Sequence, residues 1–159
     1  MIRSSLDSLM NRLNRKEVMI NASLEPYLIR YILYGKKSKG KTYRGRGLYI
    51  QKLVGSDFNH TRDYPWNWGR FVFKGQFIEL IRNNDASIKV SKVKRFQMLY
   101  SISSRRAAAH RIVNNKNAWM FFWHGKYKHH WGFWINKNNR KIYWREYLKA
   151  VSQQNKSKN

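Results

Sequence analysis

The chain has 159 residues, 33 Lys or Arg against 8 Asp or Glu, a net charge of +25, no cysteine, and 42% hydrophobic residues, with aromatics alone at 16%. This composition excludes a disordered basic tail, a disulfide framework, a zinc ribbon and a thiol nucleophile. No run of about eighteen apolar residues lacks charge, which excludes a helical membrane span. Self-repulsion of this size opposes compaction unless counter-charge is near, so a polyanion is the expected partner and a nucleic-acid backbone the leading one.

The charge comes in blocks: +2 over residues 1–34, +7 over 35–56, zero over 57–85, and +8 over each of 86–118 and 119–159. Between Asp85 and Glu146 there are fourteen Lys or Arg and no carboxylate.

In chain order, Leu6, Leu9, Met10 and Leu13 recur at helical spacing. Arg3, Arg12 and Arg15 beside Ser4, Ser5 and Ser8 resemble a mitochondrial transit helix, with Asp7 against it. Leu24, Leu28, Tyr31 and Ile32 predict a second helix, capped by Ser23 and stopped by Gly35. Glu17 to Asn21 fits helix or strand equally. Lys36, Lys37, Lys39, Lys41, Arg44 and Arg46, interleaved with Gly40, Gly45 and Gly47, predict a flexible basic arm.

Leu48 to Val54 predicts a strand. Phe71 to Phe73 and Phe77 to Ile81 predict a hairpin around Lys74, Gly75 and Gln76, and Ile88 to Val90 a further strand. From Phe96 to Val113 the period changes to 3.6, with Met98, Ile102, Ala109, Ile112 and Val113 on one face and Arg106 and Arg111 away from it. Arg105 falls inside that apolar stripe, either snorkelling there or turned to a phosphate. Trp119 to Trp123, Trp131 to Ile135 and Ile142 to Trp144 predict an antiparallel meander packed on that helix. Ser152 to Asn159 predicts a frayed polar tail.

The expected fold is therefore α+β, a small antiparallel sheet packed on one main helix, with N-terminal helices and a basic arm. Its divisions are a helical extension over 1–34, the basic arm and first strand over 35–56, an α+β RNA-binding domain over 57–151 and a disordered tail over 152–159.

Eleven aromatics crowd residues 119–147. Core packing explains most of them, but adjacent pairs such as Phe122 with Trp123 and Phe133 with Trp134 must put a large ring on each face of a strand. Base stacking is the second reading of these rings. His110, His124, His129 and His130 invite a metal reading, but there are no nearby carboxylates for a hard cation and no Cys for zinc, so no metal is assigned. Asp57, His60, Asp63 and Glu79 form the one acid/His group, from which a nuclease built on Asp57, His60 and Asp63 is a rival reading; their spacing matches no catalytic motif.

Arg105, Arg106 and Ala107 before Asn114 to Asn117 and Trp119, followed by Trp131 to Ile135, Lys137, Arg140, Ile142 and Tyr143, resemble the large-subunit ribosomal protein sixteen family, the universal counterpart of eukaryotic protein ten. The resemblance covers about residues 86–147. In place of the family's turn glycines this chain has Asn114 and Asn115, and its loop is shortened to His124 to His130. The resemblance implies an α/β domain bound to large-subunit ribosomal RNA, here as a divergent mitochondrial member in the matrix, a location that the wealth of Lys and Asn also fits.

The expectation is thus a structural constituent of a mitochondrial ribosome, with ribosomal RNA and neighbouring ribosomal proteins as partners. It would have no enzymatic chemistry, no cofactor and no homo-oligomer. Its RNA contacts would come from Lys36, Lys37, Lys39, Lys41, Arg44, Arg46, Lys89, Lys92, Lys94, Arg95, Arg105, Arg106, Arg111, Lys126, Lys128, Lys137 and Arg140. The alternatives are a phage or plasmid DNA-binding protein with the 96–113 helix in a major groove, and a basic subunit of another organellar complex.

Overall fold

A computed structural model describes residues 15–21, 23, 25–35, 45–57, 60–83, 85–101, 109–115, 117–135 and 140–156. In them the chain is a sandwich of two antiparallel six-stranded sheets with one helix, in place of the α+β fold expected. The first sheet has the order β1 (Lys16–Ile20), β2 (Pro26–Tyr34), β3 (Gly47–Leu53), β10 (Trp119–His124), β5 (Trp68–Lys74) and β8 (Met98–Ser101). The second has the order β12 (Arg140–Tyr143), β11 (Gly132–Ile135), β4 (Thr61–Arg62), β9 (Ala109–Asn115), β6 (Phe77–Arg82) and β7 (Ile88–Val93). The helix α1 (Trp144–Lys156) follows β12 directly.

The segment expected to form a second helix is β2. Its sequence PYLIRYILY is apolar at almost every position, and a continuous apolar run matches any period. Tyr27, Leu28, Tyr31 and Ile32 are all buried because both faces of this sheet carry apolar side chains. The ambiguous stretch after Arg15 is β1, paired with β2 from Lys16 opposite Tyr31.

The main helix expected over 96–113 is absent from its described parts: Met98–Ser101 is β8 and Ala109–Asn115 is β9, while residues 102–108 lie outside the described residues. The ribosomal-protein resemblance needed a helix running into the turn at Asn114 to Asn117, where Ala109–Asn115 is a strand. The two strands of the expected hairpin at Lys74 to Gln76 belong to different sheets, with Gly75 at φ 75° turning the chain across the sandwich. Likewise β11 pairs with β4 and β12, not with β10. The expected frayed tail is helical as far as Lys156, and Trp144, Tyr147 and Val151 of that helix pack on the core.

The main core lies between the sheets, where Tyr27, Leu28, Leu53, Val72 and Met120 of one side and its flanks meet Phe77, Val93, Ile112 and Phe133 of the other. Burying each large side chain of this kind contributes about 1.5–3 kcal/mol. A second apolar cluster, Tyr31, Ile50 and Trp119 with Ile29 and Phe73, lies on the outer face of the first sheet. No helix among the described residues is long and apolar enough to cross a membrane.

β11 and β12 approach closely at Gly132, where a Cβ would stand 2.1 Å from the Ile142 carbonyl oxygen. Gly132→Ala is expected to destabilise the protein by about 1–3 kcal/mol, because backbone on the neighbouring strand must move. Thermal unfolding checks this, and an unchanged midpoint would show that the two strands part without cost.

Candidate functional site

Two places concentrate chemistry: a polar network enclosed between the sheets, and a basic, aromatic surface where β7 passes into β8.

The enclosed network starts from charges on strands otherwise apolar. In β5 (WGRFVFK) and β6 (FIELIR), Arg70 and Glu79 alternate into the interior and form a buried ion pair with each other. His110 Nδ1 of β9 lies 3.2 Å from the second oxygen of Glu79. Burial works against the Glu79 charge, but Arg70 and the bond from His110 outweigh it and hold the carboxyl down at about 2. His110 Nε2 is buried with no hydrogen-bond partner among the described residues. Tyr64 and Trp68 stand against the ring, 4.8 and 5.0 Å away between centroids.

Beside it, His124 Nδ1 donates to the Gly125 carbonyl at 2.9 Å, which leaves Nε2 to accept from the Tyr49 hydroxyl at 2.9 Å. Trp66 stacks on the imidazole at 4.1 Å. Burial pushes the His124 pKa down to about 4; the Gly125 bond opposes this and the Arg30 charge adds to it. A base depressed from its ordinary 6.5 contributes stability that is full above the unfolded value and is lost as pH falls toward the folded one. Between pH 6.5 and 5 the protein should lose about 1.5 kcal/mol through this one group. His60, lowered by burial and Arg111, acts in the same direction. Urea midpoints at the two pH values should show a smaller loss in His124→Gln than in the natural chain; equal losses would exclude His124 as the source.

The acid/His group of the rival nuclease reading is not assembled. Asp57 pairs with Arg62 at 3.0 Å. Asp63 accepts from Gly132 N at 2.9 Å and from Lys141 Nζ at 2.7 Å. His60 Nδ1 is 3.0 Å from the Tyr147 hydroxyl, and Glu79 is held as above. Each of these groups joins elements of the fold. Among the described residues, no set of three or more His, Asp or Glu could hold a metal ion.

The expected phosphate contacts are spread over the surface. Lys89 and Lys92 are exposed on β7, Lys94 and Arg95 on the turn after it, Lys126 and Lys128 on the loop after β10, Arg46 before β3 and Arg140 on β12. Arg111 is half-buried on β9, opposite Leu80. Lys36, Lys37, Lys39, Lys41, Arg44, Arg105, Arg106 and Lys137 lie outside the described residues.

Among the described residues, the β7–β8 turn is where exposed cations and exposed rings come together. Among the described residues β7 is the last strand of one sheet and β8 the last of the other, so the turn joins two sheet edges. Phe96 sits there at φ 63°, a conformation a bulky side chain rarely adopts, held by its N–H to the Val72 carbonyl at 2.6 Å. Its ring stacks on Phe71 and lies 4.3 Å under the Arg95 guanidinium. Arg95 is among the cations the sequence points to, whereas Phe96, expected at the start of the main helix, is not singled out by any pattern.

No protein-family model and no curated protein matches the chain. Solved structures of similar shape include the epoxidase HppE in its FeII form, with a TM-score of 0.48 at 10% identity over 69% of this chain and 55% of that one. A cupin-2 domain from Rhodospirillum rubrum scores 0.47 at 10% identity, over 72% of this chain and 71% of that one. An oxalate oxidase scores 0.48 at 13% identity, over 83% and 69%. The chain spans about half the length of HppE. At these scores the likenesses carry no argument about what this chain does.

The expectation of a ribosomal constituent with ribosomal RNA and ribosomal proteins as partners is overturned, together with the helix that supported it. The DNA-binding alternative needed the same helix. The expectation of a chain without chemistry was drawn from the ribosomal reading and falls with it.

Proposed function

We propose that the chain binds an extended polyanion along the edge where β7 passes into β8. The observation that carries this is four exposed cations, Lys89, Lys92, Lys94 and Arg95, within seven residues of a sixty-residue stretch that has no carboxylate. Lysines on edge strands also discourage strand addition, which would account for Lys89 and Lys92. It does not account for Arg95, held by its Nε bond to the Phe73 carbonyl at 3.1 Å and stacked on an exposed ring.

Each cation that neutralises a phosphate releases condensed counterions, so binding should weaken linearly in log affinity against log salt, by about 0.7 per contact on a single strand. Fluorescence anisotropy of a labelled oligonucleotide in 50 and 200 mM salt tests the reading, with heparin as competitor. A loss of affinity of tenfold or more supports it; affinity independent of salt refutes it.

A further inference from the structure

We infer that the polyanion is single-stranded nucleic acid, whose bases stack on the outer face of the first sheet. This rests on the polyanion reading of the β7–β8 edge and extends that site across β8, β5 and β10.

The register places the rings. Met98, Phe71 and Phe121 stand opposite one another across β8, β5 and β10, and Tyr100, Gly69 and Trp123 form the adjacent row. A Cβ on Gly69 would stand 2.2 Å from the Trp123 indole, so the glycine is what lets that ring lie flat over β5. Phe73 continues the surface, 5.1 Å from Phe121. Phe96 and Met98 are each 64% exposed, Tyr100 61% and Phe121 37%, so these side chains are available to a partner as the core rings are not. An apolar surface of this kind on a folded domain marks an interaction site.

Charge selects the occupant. Among the described residues the outer face of this sheet has no carboxylate, while Arg95 lies 4.3 Å over the ring of the exposed Phe96. Flat aromatic faces bordered by cations match a chain of bases on phosphates, since every base offers a π-face and the backbone follows the charge. Duplex would bury its bases away from the rings. The left-handed Phe96 points the same way: backbone strain at a surface position persists where the side chain it presents is used.

The test compares a labelled oligothymidylate with an abasic deoxyribose-phosphate strand of equal length, against the full chain and against Phe96→Gly/Tyr100→Ala. Neither substitution changes charge, and glycine suits the φ of 63°. The natural chain should bind oligothymidylate at least tenfold more tightly than the abasic strand, as loss of stacking costs about five- to 150-fold per base. The variant should bind both strands at the abasic level. Equal binding of the two strands by the natural chain would overturn the base platform and leave the polyanion reading standing. Binding of neither strand would overturn both. Sedimentation as a dimer that the variant abolishes would assign the rings to contact between copies of the chain, and would also overturn the inference.

Discussion

Replacing Glu79 by Leu is expected to destabilise the protein by about 3–5 kcal/mol, because it leaves the Arg70 guanidinium buried without its counter-charge. Both side chains of the pair are 3% exposed, so water cannot replace the lost partner without opening the sandwich. Such a loss is a large share of the 5–15 kcal/mol that holds a domain folded. At a urea m-value of about 2 kcal/mol/M the midpoint would fall by about 2 M. Removing both charges in Arg70→Met/Glu79→Leu should recover much of the loss, since apolar packing commonly matches a buried ion pair in stability. The His110 bond would not be recovered. The linkage sign agrees: a carboxyl held at about 2 contributes stability above its ordinary 4.5 and loses it as pH falls from there toward 2. A Glu79→Leu cost under 1 kcal/mol would mean that solvent reaches Arg70.

Neutralising the β7–β8 edge gives the second large effect. Lys89→Gln, Lys92→Gln, Lys94→Gln and Arg95→Gln together should remove up to four phosphate contacts and flatten the log–log salt slope by about 2.8. Between 50 and 200 mM salt those contacts account for about fiftyfold in affinity. Folding should change little, because all four side chains are exposed. The matched control is Lys126→Gln with Lys128→Gln, on the loop after β10, which should lower the slope much less. An equal effect from both sets would make the charge diffuse, with no binding edge.

Part of this organisation was legible in the residues. β3, β6, β7, β10 and β11 each alternate or run apolar between turn residues, and their positions followed from that pattern. β2 was hidden because a strand buried on both faces has no period of its own. β8 and β9 were hidden because Met98, Ala109, Ile112 and Val113 satisfy a helical spacing as well as a strand's. Pairing was less legible still: β10 lies between β3 and β5, strands far away in sequence, and nothing local specifies such neighbours. The Lys74 to Gln76 turn looks the same in a hairpin and in a crossing between sheets.

At the site, the cation blocks were plain and the enclosed network was not. Its signal was present, since Arg70 and Glu79 are charges of opposite sign on the inward positions of two apolar strands, a placement that a solvated residue would avoid. His110 was noticed as a metal candidate, although its partner Glu79 was grouped with Asp57, His60 and Asp63. Phe96 carried no signal, because a left-handed aromatic is a property of the folded turn.

Hydrogen exchange of the whole chain, with and without a saturating single-stranded oligonucleotide, tests the binding edge most directly. Slowed exchange is expected from Lys89 through Tyr100 and along β10, with the amides of β11 and β12 unchanged. Protection confined to β11, β12 and α1, or no protection anywhere under conditions where binding is saturated, would contradict it.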